Sequence, residues 1–368
     1  MQTKLTLKEK VLSEATLNWG NNYKDNWDTF LFGEEYGIKR SLKGKIDKMA
    51  KVYLPGKIYQ SLVFDFRFKN HIAGLTQMYE KLEANYSKEL LVKILTFRVL
   101  GHKKYKLPLS DKKYWDDLKL AESLIIDKES VIDPKFQDFL LYIHDLKRIG
   151  IDLKLYLTSL GVLIDFIIKQ YVYGQEGVEI KVVENDVVID AGACWGDTAL
   201  FFAHETGPGG KVYSFEFIPS NLEILKKNLD LNPHLKPRIE IIPHPLWSES
   251  EINLYYNNFG PASRVSMQKF EGSEGSAKTF TIDKLVQTKK LEKVDFIKMD
   301  IEGAEPYCLE GARETIIRFK PKLAIAVYHN LSDFYTIVNY IDNLNLGYKF
   351  YLQHATIHEG ETVVFAQV

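Results

Sequence analysis

The chain has 368 residues, 48 basic and 49 acidic side chains and a net charge of -1. That balance gives no electrostatic footprint for nucleic acid, and no basic block with interleaved aromatics occurs. Cys194 and Cys308 are the only cysteines, so neither a disulfide framework nor a thiolate zinc site is expected, which fits a reducing cytoplasm. The most hydrophobic stretch, Tyr156 to Ile168, is short and carries Asp165, and the opening MQTKLTLKEK has no apolar signal core. No membrane insertion is expected.

Length suggests two domains, a helical one over residues 1–150 and an α/β one over 151–368. In the first, Ile72, Leu75, Met78, Tyr79 and Leu82 share one helical face. Further helices are predicted at Leu90 to Gly101, Asp111 to Ile126 and Pro134 to Lys147, with a break at Leu107, Pro108 and Leu109. Aromatic residues are frequent (Trp19, Trp27, Phe30, Phe32, Tyr36, Phe64, Phe66, Phe68); they read as core or as the lining of an acceptor pocket. After Ile151, the segments DLKLYL, KQYVYG and GVEIKVV read as short strands of a small joining sheet.

From Val187 strands and helices alternate, which implies a parallel sheet with crossover helices. The strand VVIDA is followed by a helix ending at GPGG. Next come KVYSFEF, a helix with Leu222, Leu225 and Leu229 on one face, IEIIPHPLW, VDFIKMD, a helix stopping near Gly311, and LAIAVYH. The last two strands, YKFYLQHA and ETVVFAQV, are joined by too short a linker for a crossover and should pair antiparallel.

The turn DAGACWG differs from the GxGxxG dinucleotide fingerprint. It resembles the DxGxGxG turn of S-adenosylmethionine enzymes, with Cys194 in place of the middle glycine. Gly192 and Gly196 would permit the turn, Asp190 would supply an acid for the methionine ammonium, and Asp197 and Thr198 open the next helix beside it. Glu216 ends the second strand 26 residues after Asp190 (216 minus 190), near the offset at which a carboxylate accepts the ribose hydroxyls. Phe217 would lie on the ribose or adenine, and Leu246 and Trp247, after the third strand, would hold the adenine.

KMDIEGAE brings Asp300, Glu302 and Glu305 together with Lys298 just upstream, and strand alternation puts Lys298 and Asp300 on one face, where they could pair. With VIDAGACWGDT, VYSFEF and TFTIDKL, this motif resembles the FkbM family of S-adenosylmethionine-dependent methyltransferases over roughly Val187 to Val368. The resemblance implies a Rossmann-like class I methyltransferase sheet, mostly parallel with an antiparallel closing pair, preceded by the helical domain. It also implies methyl transfer to a hydroxyl of a sugar, glycan precursor or related metabolite. Asp190, Gly192, Gly196 and Glu216 carry over to the cofactor, and Asp300 and Glu302 to the junction of cofactor and acceptor. Cys194 stands where the family more often has asparagine.

A sugar hydroxyl is a poor nucleophile, so a base should take its proton. His329 and His354 fall where strands end on the cofactor side, and either is a candidate, oriented by Asp300 and Glu302. A rival is a divalent metal held by Asp300, Glu302 and a histidine; the spacing is no recognised ligand pattern, and no metal is favoured. The hairpin LYYNNFGPASRVS combines amides with aromatics and could meet a sugar, or be a plain surface turn. Two other classes are a nicotinamide-dependent oxidoreductase, which would want GxGxxG, and a non-catalytic binding module, which would tolerate loss of the acids.

Overall fold

The computed structural model describes residues 5–26 and 56–368. Trp27, Phe30, Phe32 and Tyr36 lie outside these residues. Helices α1 (Leu7–Asn18), α2 (Gly56–Phe68), α3 (Ile72–Lys81) and α4 (Asn85–Leu100) come first. The start of α1 is fixed by a capping box: the Thr6 hydroxyl accepts from the Glu9 amide and the Glu9 carboxylate from the Thr6 amide, satisfying two otherwise unpaired donors. Leu75, Met78 and Leu82 are buried, as the spacing in this stretch predicts. The described aromatics are mainly core: Phe64 packs on Phe68 at 4.9 Å and Trp19 on Tyr59 at 5.3 Å, while Phe66 faces solvent.

Helix α5 (Lys112–Ser123) is followed not by another long helix but by an antiparallel sheet of β1 (Ile125–Ile132), β2 (Leu141–Asp145) and β3 (Lys154–Leu157). The helix expected over Pro134 to Lys147 is therefore corrected. Lys135 and Gln137 sit at φ 57° and 50°, left-handed backbone through which no right-handed helix runs, and β2 is claimed by partners on both sides. The exposed edge of β3 is closed by side chains. Asn228 and Asn232 each exchange a pair of hydrogen bonds with its backbone, at Tyr156 and Lys154. Helix α6 (Ser159–Val162) continues as a π-helical turn over Leu163–Ile168, and a hairpin of β4 (Tyr173–Gln175) and β5 (Val178–Ile180) follows.

Seven strands form the main sheet: β6 (Val187–Ala191), β7 (Lys211–Phe215), β8 (Ile239–Ile242), β12 (Phe296–Met299), β13 (Lys322–Ala326), β14 (Lys349–His354) and β15 (Thr362–Gln367). Their order is β14-β15-β13-β12-β6-β7-β8. The pairs β13/β12, β12/β6, β6/β7 and β7/β8 are parallel, and β15 runs antiparallel to both β13 and β14. The fold is the class I methyltransferase arrangement, with the closing pair antiparallel as the short linker requires. Helices α7 (Asp197–Glu205), α8 (Pro219–Asp230), α9 (Ile282–Lys289), α10 (Glu305–Glu310), α11 (Arg313–Phe319) and α12 (Asp333–Asp342) cross between strands. A separate small sheet, β10-β9-β11, is inserted after β8 from β9 (Asn253–Tyr256), β10 (Val265–Ser266) and β11 (Gly275–Lys278).

Strand alternation divides the sheet between two cores. Ile189, Ala191, Ile297 and Met299 share one with helices α1–α4, whereas Val188, Val212, Phe296 and Ala324 face the other, with the small sheet and the π-helical turn. The edge strand β14 is covered: the Glu83 amide donates to the Phe350 carbonyl at 3.0 Å and the Leu352 amide to the Ser87 hydroxyl at 2.9 Å. Those bonds fasten the helical region to the sheet and leave no free edge there for another chain. Because the chain leaves β6 toward β7 and β8 and later returns to β12 on its other side, the crevice opens beyond the carboxyl ends of β6 and β12, where such sheets bind ligands.

Candidate active site

The β6 turn is built around Gly192. It sits at φ 90°, and a Cβ there would lie 2.0 Å from the carbonyl oxygen of Asp300, so only glycine lets the loops after β6 and β12 touch. Gly196, at φ 87°, caps helix α7. Cys194 takes φ 43° and faces the crevice; burial and the charge of Glu216 push its thiol well up, so it stays protonated.

The resulting cleft, with its open mouth, spans about 600 Å³. Its walls all lie between Gly192 and Ala304, and Gly192, Cys194, Glu216, Phe217, Leu246, Asp300 and Glu302 are among them. The predicted hairpin is present and closes one side through Gly260, Pro261 and Ser263. A link to the amino-terminal half is Phe136, edge-on to Phe259 at 5.0 Å.

Glu216 is buried at the end of β7. One carboxylate oxygen accepts from the amides of Phe217 (2.6 Å) and Ile218 (2.7 Å), the other from the Asn221 side-chain amide (3.3 Å). Burial raises its carboxyl to about 7, against these bonds, which lower it. Asn221 Oδ1 is buried with no hydrogen-bond partner on the cleft wall. Asn221 was missed by sequence reasoning, though it lies on the buried face of the helix opened by Pro219.

Several expected cofactor residues are not at the cleft. Asp190 is fully buried within β6, in register with Lys298 of β12 and Ser214 of β7. It accepts from the hydroxyls of Thr198 (3.1 Å to each oxygen) and Ser214 (3.3 Å), and pairs with Lys298 Nζ at 3.3 Å. Alternation turns it into a sheet face, where it braces the turn from beneath. Thr198 is spent on Asp190. Asp197 faces Asp165, whose carboxyl is pushed well up by burial and by the charge of Asp197. Trp247 stacks on Tyr307 (3.9 Å, 14°) and walls an adjoining groove with Met267, Gln268 and Glu302.

Lys298 pairs with Asp190 rather than with Asp300 as expected, and donates to the carbonyls of Gly192 (2.6 Å) and Ala191 (3.3 Å). Burial alone would lower its pKa; Asp190, Asp300 and Asp197 outweigh it and hold the ammonium above its ordinary value.

The acids after β12 gather around His329. Its Nε2 lies 3.4 Å from Asp300 Oδ1 and 3.6 Å from Glu302 Oε1, and its Nδ1 lies 3.2 Å from Glu305 Oε1. Burial opposes the imidazolium, but the three carboxylates push it up to about 12. The carboxylates thus favour the protonated imidazole, the form that donates rather than accepts a proton. His354 is not in this cluster: its nitrogens meet the hydroxyls of Thr362 (2.8 Å) and Thr356 (3.4 Å), and burial lowers its pKa to about 3. It is a buried neutral side chain of the closing strand pair. Two phenols that sequence reasoning missed, Tyr171 (2.8 Å) and Tyr328 (3.3 Å), donate to Asp300. Tyr171 follows the π-helical turn, and no local pattern marks it.

Residues 190–350 match the family model described as the methyltransferase FkbM domain. The chain carries an FkbM methyltransferase domain. That domain makes the chain an S-adenosylmethionine-dependent methyltransferase. Among solved structures, the methyltransferase FkbM from Methylobacillus flagellatus KT is 19% identical, with 88% of this chain and 70% of that chain covered and a TM-score of 0.51, a likeness of fold. Aeropyrum pernix fibrillarin with natively bound S-adenosyl-L-methionine (15% identity, 61% and 93% covered, TM-score 0.33) is more distant. So is the Bacillus cereus O-methyltransferase in complex with SAH (12%, 70% and 91%, TM-score 0.33), and neither bears on the assignment. No curated protein matches this chain. No helix among its described residues is long and apolar enough to cross a membrane.

Proposed function

We propose that this methyltransferase acts on a hydroxyl oxygen of a sugar, glycan precursor or related small metabolite. The observation that carries the reading is the position of Glu302, which borders both the cleft containing Glu216 and the groove walled by the Trp247–Tyr307 stack. Aromatic faces beside Gln268 and Glu302 suit the apolar face and the hydroxyls of a pyranose.

The cleft residues fit the cofactor. Glu216 offers a buried carboxylate to ribose hydroxyls, Asn221 Oδ1 is free to accept from a donor, and Gly192 lets the loops after β6 and β12 meet at the cleft wall. S-adenosylmethionine supplies an electrophilic methyl on its sulfonium; transfer to the acceptor oxygen releases S-adenosylhomocysteine and the hydroxyl proton. In this reading Glu302 takes that proton. Burial raises its carboxyl, as do the charges of Asp300 and Glu305, while His329 lowers it, and a raised carboxylate is the better base. Asp300, held by Tyr171 and Tyr328, orients the hydroxyl. Two free thiols are in keeping with the cytoplasm.

Calorimetric titration with S-adenosylhomocysteine tests the cofactor side. Glu216→Ala should weaken binding about 10–100-fold, the worth of roughly 1.5–3 kcal/mol for a hydrogen bond to a charged group. Since the carboxylate is the form that accepts hydroxyl donors and its pKa is about 7, affinity should fall as pH drops through 7, by about tenfold per unit where the charged form is required. Glu216→Gln should remove that slope. NADH should not bind; NADH binding in place of the homocysteine compound would favour an oxidoreductase. Radiolabelled methyl transfer to saccharide hydroxyls tests the acceptor side, and labelling confined to amines would overturn the oxygen assignment.

A further inference from the structure

We propose that Asp300, Glu302 and His329 form a binding site for a divalent cation of the Mg²⁺ or Mn²⁺ type on the acceptor side of the cleft. The inference deepens the methyltransferase reading and rests on it for its role, though not for its test.

One ligand atom from each residue lies within 4.8 Å of the other two. A cation with oxygen ligands at about 2.1 Å in an octahedron sets neighbouring ligand atoms about 3.0 Å apart. The separations from His329 Nε2 to Asp300 Oδ1 (3.4 Å) and Glu302 Oε1 (3.6 Å) would need to close by only a few tenths of an ångström. Three protein ligands on one face leave three positions for water and an acceptor hydroxyl. Two carboxylates and an imidazole, without thiolate, favour the harder divalent ions.

The orientation of the imidazole is a separate observation. Nε2 faces the two prospective ligands, while Nδ1 is backed by Glu305, a fully buried carboxylate fixed by the Ile301 amide at 2.8 Å. A carboxylate behind a histidine whose other nitrogen points at a vacant centre is how metal-bound histidines are held. The His329 side chain is only 9% exposed, yet neither ring nitrogen reaches hydrogen-bond geometry, and Glu305 Oε2 is likewise buried without a partner. Buried polar atoms are costly when unpaired, and a cation that displaces the Nε2 proton would ligate that nitrogen and take over the imidazolium's place between the carboxylates.

Neighbouring groups leave the ligand atoms available. Tyr171 holds Asp300 Oδ2 at 2.8 Å, turning Oδ1 toward His329, where it also accepts from the Tyr328 hydroxyl at 3.3 Å and keeps a lone pair for the cation. Lys298 is committed to Asp190 and two carbonyls and does not neutralise the cluster by contact. Glu302 occupies φ 56°, a backbone state that non-glycine residues adopt at a cost and that concentrates at functional sites; here it turns the carboxylate into the cluster. A cation so placed fixes the acceptor oxygen and lowers the pKa of its hydroxyl. The balance of the transfer is unchanged, with the hydroxyl proton passing to the free oxygen of Glu302.

The test is electron paramagnetic resonance of Mn²⁺ added to metal-stripped protein, with S-adenosylhomocysteine affinity measured on the same samples. One Mn²⁺ per chain is expected, displaced by excess Mg²⁺, with affinity at least tenfold weaker in Glu302→Gln and in His329→Ala. Retained S-adenosylhomocysteine binding shows that both variants are folded. Absence of Mn²⁺ binding at millimolar concentration, or stoichiometric binding unchanged in both variants, overturns the site. Loss of S-adenosylhomocysteine binding by the unaltered protein would instead overturn the cofactor reading, and the Mn²⁺ spectrum would still decide the metal site.

Discussion

Gly192→Ala should abolish cofactor binding, with affinity for S-adenosylhomocysteine falling at least 100-fold. Alanine at φ 90° carries a backbone penalty of roughly 1–3 kcal/mol, and its Cβ would sit 2.0 Å from the Asp300 carbonyl oxygen. That atom is backbone and cannot swing aside, so the loops after β6 and β12 must separate. Crowding of this kind adds about 1–3 kcal/mol, and displacement by about 1 Å at a positioning loop can cost 100-fold in rate. The same contact joins the Glu216 side of the cleft to the Asp300 cluster, so methyl transfer should be lost with binding. Calorimetry and a urea melt on the purified variant check both; a variant that binds normally with unchanged stability would show that the loops do not need their close approach.

Asp190→Asn should destabilise the protein by about 3–5 kcal/mol, the usual result of removing one partner from a buried ion pair. Lys298 is 2% exposed and would keep its charge with no directly paired carboxylate, only two carbonyls and the more distant charges of Asp300 and Asp197. The double variant Asp190→Asn/Lys298→Met should recover a large part of the loss, because no uncompensated charge remains. Lys298 is raised in the folded state, so the pair's contribution is complete below the ordinary lysine value of about 10.4 and is lost only as pH climbs past the raised folded value. Urea midpoints between pH 7 and 9 should therefore differ by a constant amount. If the double variant were no more stable than the single one, the pair would not be the cause.

The sequence by itself determined the sheet and where its ligands go. Apolar β-branched runs, glycine turns and the period of the helices are local signals, and they place Gly192, Glu216, Asp300 and Glu302 at the ends of successive strands that a parallel sheet brings to one edge. The short linker before β15 likewise dictated an antiparallel closing pair. Tertiary structure alone decided which side chains reach the ligand. Strand register sets Asp190 beside Lys298 and Ser214, and Thr198 bonds it from the next helix; register is a property of neighbouring strands. The same holds for Pro134 to Lys147, whose apolar spacing suits a helix but whose backbone is claimed by β1 and β3. His329 and His354 both end strands, but only His329 meets the acids, because three carboxylates from a different loop close around it. The phenols of Tyr171 and Tyr328 reach Asp300 from segments 129 and 28 residues away. Contacts over such separations depend on how the whole chain packs, and no local pattern encodes them.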